Sequence, residues 1–255
     1  MKKPSQKCAF CYHSGKLSLE HITSEWMNAL FPGENIHQRE ARGKRTHWTT
    51  HDEIDWKARV VCEDCNTGWM SDIESKHAKP VLTPLIAGHN IRTEITQEIA
   101  RSIALWVFKT AIVLDHAHHR TMPWFPDYVR EQLRVERKMP STALKMWICG
   151  VNGGRRHISL RAAYGAMNLS PTYPVYSYVC TGEIGNFAFQ LCSIKQKRNI
   201  ELFPLPEFDN VVVSIWPGIH VGITWPFLLN LDGEDGFTRF SDRWSSIAHI
   251  PPLIE

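Results

Sequence analysis

The sequence predicts an α+β chain in three parts: a small metal-stapled module, a helical middle, and a mostly antiparallel β part towards the C-terminus. Three observations carry this prediction. Two Cys-x-x-Cys pairs, Cys8/Cys11 and Cys62/Cys65, lie in a stretch rich in Cys, His, Gly and charge whose short apolar runs cannot build much core alone. From residue 93 apolar residues recur at three- and four-residue steps, the pattern of a helix. Beyond Pro140 short apolar runs are separated by Gly, Pro and Asn, the pattern of strands and turns.

The elements follow in order. KLSLEHI, residues 16–22, alternates apolar and polar residues and reads as a strand, and SEWMNALF, 24–31, as a short helix ended by Pro32 and Gly33. DEIDWKARVVC, 52–62, reads as a strand entering the second cysteine pair. A helix then starts at Asn66, carries Trp69, Ile73 and His77 on one face, and stops before Pro80. The prolines and glycine of KPVLTPLIAGHN suggest a linker near residues 80–92, dividing the chain into a module at 1–82 and an extension at 83–255. In the extension a long helix carries Ile95, Ile99, Ile103, Trp106, Thr110 and Val113, and a second one opens at Pro126 and carries Val129, Leu133 and Arg137. Strands are expected at LKMWICG, HISLRAAYGAM, YPVYSYVCTG, FAFQLCSIK and NVVVSIWPG, so that helices fill about 93–138 and strands about 143–225.

Composition excludes some classes. At 255 residues, with 43% hydrophobic and 22% charged residues, the chain can bury a real core. No apolar run nears the roughly 18 residues that span a bilayer, and the lysines of MKKPSQKC precede no apolar segment, so a cytoplasmic protein is expected. Of seven cysteines, Cys149, Cys180 and Cys192 sit among apolar residues and read as buried free thiols. The net charge of +3 is compatible with a nucleic-acid partner without requiring one. Arg39, Arg42, Lys44 and Arg45 fall in a Gly-containing stretch that reads as a loop, either a solvated surface or an arm that contacts phosphates.

The four cysteines of the two pairs supply the ligands of a tetrahedral structural zinc with no open position. That zinc would bring Glu20 and His21, at the end of the first strand, near Asn66, immediately after the last cysteine. An acid, a histidine and an amide so placed suit a phosphodiesterase: Glu20 and Asn66 offer hard oxygens to Mg²⁺ or Mn²⁺, and neutral His21 can take a proton from water. Adjacent strand residues point opposite ways, so Glu20 and His21 can share a phosphate only if the strand ends or bends there. Asp72 and Glu74 read as acids favoured near a helix start, with a metal role as the alternative, and His116, His118 and His119 as a solvated helix end rather than a metal cluster. GVNGGRR, 150–156, lacks phosphate-loop spacing and reads as a β-turn.

Cys8-Ala-Phe-Cys11, Glu20-His21-Ile22, Cys62-Glu-Asp-Cys65-Asn66 and Gly68-Trp69-Met70-Ser71 together resemble the HNH endonucleases of the ββα-metal class, in particular a bacterial group with zinc knuckles. The resemblance covers residues 8–74. It implies a ββα-metal fold for the module, His21 as general base, Glu20 and Asn66 as ligands of one catalytic Mg²⁺ or Mn²⁺, the four cysteines as zinc ligands, and DNA as substrate, with RNA not excluded. The chain departs from the family in having glutamate at the first acid and Met70-Ser71 where a basic residue is common. The middle asparagine has no clear match; Asn35 comes early, and His51 or Asp55 lies nearer the expected place. The alternative reading is a catalytically silent zinc module that binds nucleic acid or protein. A homodimer or protein partner held through the C-terminal part, or a small ligand or peptide bound there, is a further expectation.

Overall fold

The computed structural model describes residues 7–31, 36–42, 45–51, 56–88, 92–118, 122–152, 158–170, 173–195, 202, 204, 206–218 and 222–242. It is a mixed α and β structure with five α-helices and several sheets among the described residues.

Near the N-terminus β1 (Leu17–His21) leads into a 3-10 helix, Glu25–Leu30, shorter than the predicted 24–31. The stretch read as a basic loop is instead a hairpin. β2 (Ile36–Arg42) pairs with β3 (Arg45–His51), and Arg42 stands opposite Arg45 in the register. β4 (Lys57–Cys62) pairs antiparallel with β1, Leu17 opposite Cys62 and His21 opposite Lys57, with a register shift between Ser18 and Glu20.

Helix begins at Glu63, with Cys62 as its N-cap, rather than at Asn66. α1 (Glu63–Cys65) runs into two wide π-helical segments, Asn66–Met70 and Ile73–Ala78, and then into α2 (Lys79–Ala87). The predicted stop before Pro80 and the linker near 80–92 are therefore corrected, because the helix passes through Pro80 and Pro84. Pro80 sits in the first turn of α2, where its missing N–H costs little. Burial of Leu82, Leu85 and Ile86 supplies the packing that outweighs Pro84 in the helix interior. The wide turns shift the helical phase, so Ile73 is buried, Trp69 half-buried and His77 exposed instead of sharing one face. α2 ends at Gly88, whose φ of 137° suits glycine alone. The carbonyl of Ile86 accepts hydrogen bonds from the backbone N–H of Asn186 (3.2 Å) and from its side-chain Nδ2 (3.1 Å).

In the extension, the first residues assigned to the long helix form β5 (Thr93–Ile95), and α3 (Gln97–His118) follows. Thr96 caps it, its Oγ1 accepting the Ile99 N–H at 3.3 Å. α3 is buried nearly all round from Ile103 to Asp115, as a helix threaded through a core must be. Trp106 is packing, as expected. Its Nε1 donates to Ser24 Oγ at 3.1 Å, both residues being fully buried. Ser24→Ala leaves that donor unpaired and is expected to cost about 1–3 kcal/mol, read as a lower urea midpoint at unchanged slope. α4 (Asp127–Glu136) takes Pro126 as its N-cap instead of its first helical residue, and ends at Arg137, which adopts the left-handed conformation at φ 54°.

The large sheet has the order β10–β6–β9–β8–β7, with β12 added parallel to β6 and the other pairings antiparallel. Its strands are β6 (Leu144–Asn152), β7 (Ile158–Ser170), β8 (Tyr173–Ile184), β9 (Phe187–Lys195), β10 (Val213–Trp216) and β12 (Leu231–Asp232). β11 (Ile223–Trp225) pairs instead with β5, and α5 (Gly233–Asp242) follows β12. The uniformly apolar look of β6 and β9 has a simple cause, since both faces are covered. Met146, Ile148, Phe189 and Leu191 pack in the core that contains α3, while Trp147, Cys149, Ala188 and Cys192 pack against Phe208, Phe237 and Phe240 on the other side. Cys149, Cys180 and Cys192 are free, buried thiols, and burial pushes those of Cys180 and Cys192 up to about 12. No helix among the described residues is long and apolar enough to cross a membrane.

Candidate functional site

The first knuckle is a tight loop. Tyr12 N–H donates to the Cys8 carbonyl at 3.1 Å and Cys8 N–H to that of His13 at 3.0 Å, while Tyr12 itself takes a φ of 59°. Ala9 N–H donates to the Val60 carbonyl at 2.8 Å, hanging this loop on β4 just before the second pair. As a result the sulfurs of Cys8, Cys11, Cys62 and Cys65 all lie within 4.8 Å of one another, and those of Cys11 and Cys62 are 3.5 Å apart. A tetrahedral zinc with Zn–S bonds of about 2.3 Å sets its sulfurs about 3.8 Å apart, so this donor set fits a structural metal with every position filled by sulfur. Phe10, between the first two ligands, packs edge-on against Trp69 at 4.9 Å.

The extension grips the same knuckle. Buried Arg130 on α4 donates to the Ala9 carbonyl and pairs with Asp127, and its Nε donates to the Phe125 carbonyl at 3.0 Å. His116 is part of this cluster, its Nε2 lying 2.9 Å from Arg130 Nη1. It is buried, not the solvated helix end expected from sequence. Burial first, and then the Arg130 charge, pushes its imidazole down to about 4, so it accepts from the guanidinium in its neutral form. The side chain of His118, and His119 entirely, lie outside the described residues.

Asn66 is brought to β1. Its Nδ2 donates to Ser18 Oγ at 3.2 Å and to the Leu19 carbonyl at 3.3 Å, tying the helix start to the strand. That accounts for an asparagine directly after the fourth cysteine. Asn66→Ala removes the tie and is expected to cost about 1 kcal/mol, measurable as a shift in urea midpoint with zinc content unchanged.

Glu20 and His21 are neighbours with different surroundings. His21, the last residue of β1, is half-buried. Glu20 is 3% exposed, and its Oε1 accepts from Lys109 Nζ at 3.1 Å. The same nitrogen donates to Glu74 Oε1 at 2.6 Å. Burial works against the Lys109 charge, but the Glu74 and Glu20 carboxylates overrule it and hold the ammonium above the usual lysine range. Asp72 is exposed and pairs with Lys76 at 2.6 Å.

Of the remaining predicted positions, Arg39 and Arg42 lie on β2 and Arg45 and His51 on β3. Lys44, Asn35 and Asp55 lie outside the described residues. In GVNGGRR, Gly150, Val151 and Asn152 end β6, and 153–156 lie outside the described residues. Lys109 was missed by sequence reasoning. The available signal was one lysine inside LWVFKTAIVL, a segment apolar on every face, where a charge must find partners.

In comparisons with protein-family models, curated proteins and solved structures, nothing matches this chain.

Proposed function

We propose that the chain is an HNH-type endonuclease in which zinc on Cys8, Cys11, Cys62 and Cys65 staples the module and His21 acts as general base on a phosphodiester bond. One observation carries the reading. β1 pairs antiparallel with β4, which ends at Cys62 and enters the helix, and Asn66 Nδ2 in that helical run lies 3.3 Å from the Leu19 carbonyl, two residues before His21. A structural zinc alone does not require the histidine. In the proposed reaction His21 takes a proton from the attacking water, and the Arg39–Arg45 hairpin offers basic residues to the DNA backbone. A cytoplasmic setting, in which thiols stay reduced, belongs to the same proposal.

The resemblance also implies Mg²⁺ or Mn²⁺ held by Glu20 and Asn66. The residues do not fit this ion, because the Glu20 carboxylate is sunk in the core on Lys109. This engagement of Glu20 favours a second reading, a catalytically silent zinc module that binds nucleic acid.

Incubation of supercoiled plasmid with the zinc-loaded protein, beside His21→Ala, separates the two. Nicking or linearisation that falls about 10²- to 10⁴-fold in His21→Ala at unchanged zinc content is the expected result. DNA retained in a gel-shift assay without any cleavage supports the silent module, and full cleavage by His21→Ala removes the histidine from the mechanism.

A further inference from the structure

We infer that Lys109 is the resident cation of the Glu20–Glu74 carboxylate pair, so that the extension, and not a divalent metal, neutralises the acid beside His21. Lys109 is then a positioning residue: it fixes Glu20 and, through Glu20, the end of β1 that carries His21. The cation assignment stands on geometry alone, and only its bearing on catalysis rests on the nuclease reading.

Three features lead to it. A single ammonium takes one oxygen from each acid, at 3.1 and 2.6 Å, and those acids come from separate elements, β1 and the Ile73–Ala78 segment. The Glu20 side of the pair is closed, with the side chains of Lys109 and Glu20 only 0% and 5% exposed, while that of Glu74 is 19% exposed. Mg²⁺ usually keeps several of its waters, and a carboxylate so enclosed leaves them no space. Finally, Lys109 sits where α3 otherwise carries Val107, Phe108, Ala111 and Ile112, all fully buried. An apolar residue would satisfy packing there, and well-packed apolar replacements of buried ion pairs are often neutral or stabilising. What the lysine adds is charge directed at two acids.

The assignment predicts that removing the ammonium turns the pair into a divalent-cation site. Mn²⁺ binding to the zinc-loaded full chain can be followed by the loss of the free-ion EPR signal, for wild type, Glu20→Gln, Lys109→Met and the double variant Lys109→Met/Glu20→Gln. Equal, weak binding by wild type and Glu20→Gln is expected, with binding at least about tenfold tighter in Lys109→Met and lost again in the double variant. A wild-type Mn²⁺ site that weakens in Glu20→Gln overturns the assignment, as does a folded Lys109→Met without any gain. Should Lys109→Met not fold, the comparison of wild type with Glu20→Gln, repeated with Glu74→Gln, decides alone. Plasmid cleavage distinguishes the two proposals. Failure of wild type to cleave, with these Mn²⁺ results, removes the nuclease and leaves Lys109 in place. Mn²⁺-dependent cleavage together with a wild-type Mn²⁺ site that weakens in Glu20→Gln sustains the nuclease and overturns the inference.

Discussion

Cys65→Ser is expected to abolish metal binding by the four-cysteine cluster, and with it the cooperative unfolding of the N-terminal module. Cys65 is the last of four buried or half-buried sulfurs gathered within 4.8 Å, and it opens the helical run that carries Asn66 and Glu74. Metal binding is folding free energy at such sites, with apparent values of about 10–16 kcal/mol in small zinc peptides, and losing one thiolate forfeits a large share of it. The damage should spread beyond the knuckles, because Arg130 and Tyr12 join the first knuckle to α4 and Phe10 packs on Trp69. Zinc content by mass spectrometry and a thermal melt followed by tryptophan fluorescence test this together. An unchanged melt at reduced zinc would contradict the structural role.

Lys109→Met is expected to destabilise the chain by about 3–5 kcal/mol, the usual cost of breaking a buried ion pair by removing one partner. Buried Glu20 and partly exposed Glu74 are then left without their shared counter-ion. At roughly 2–4 °C per kcal/mol for a chain of this size, the melting temperature should fall by about 6–20 °C. The loss should shrink when Glu20→Gln is added, since the amide has no charge left to compensate, and Mn²⁺ should restore part of it in the single variant alone. A melt within about 1 °C of wild type would mean that the ion pair contributes little to stability.

Some of this was readable before any coordinates. The cysteine spacing located the metal-binding cluster, and the runs 103–113 and 144–150 located α3 and β6 because periodicity and burial reinforce each other there. What stayed hidden depends on contacts between distant segments. Pro80 and Pro84 read as helix stops because local propensity counts against proline, whereas Leu82, Leu85 and Ile86 packing in the core overrides it. The arginines at 39–45 read as a loop because charge masks strand pairing, which only the β2–β3 register reveals. His116 reads as part of a solvated helix end, and Lys109 was missed. The apolar neighbours of Lys109 signal that it needs partners, but which partners these are, Glu20 with Glu74 for it and Arg130 for His116, depends on other elements.

The capping of α2 by Asn186 bears on the order in which the chain is made. The knuckles leave the ribosome first, yet the carbonyl of Ile86 finds its donors only on the β8–β9 turn, and Glu20 finds its ammonium only on α3. A nascent chain halted between residues 88 and 109 therefore displays the four-cysteine cluster beside an acid pair that has no counter-ion and a last helix that has no cap. The His21 end of β1 reaches its final surroundings late in synthesis, after the segments that complete it have followed it out.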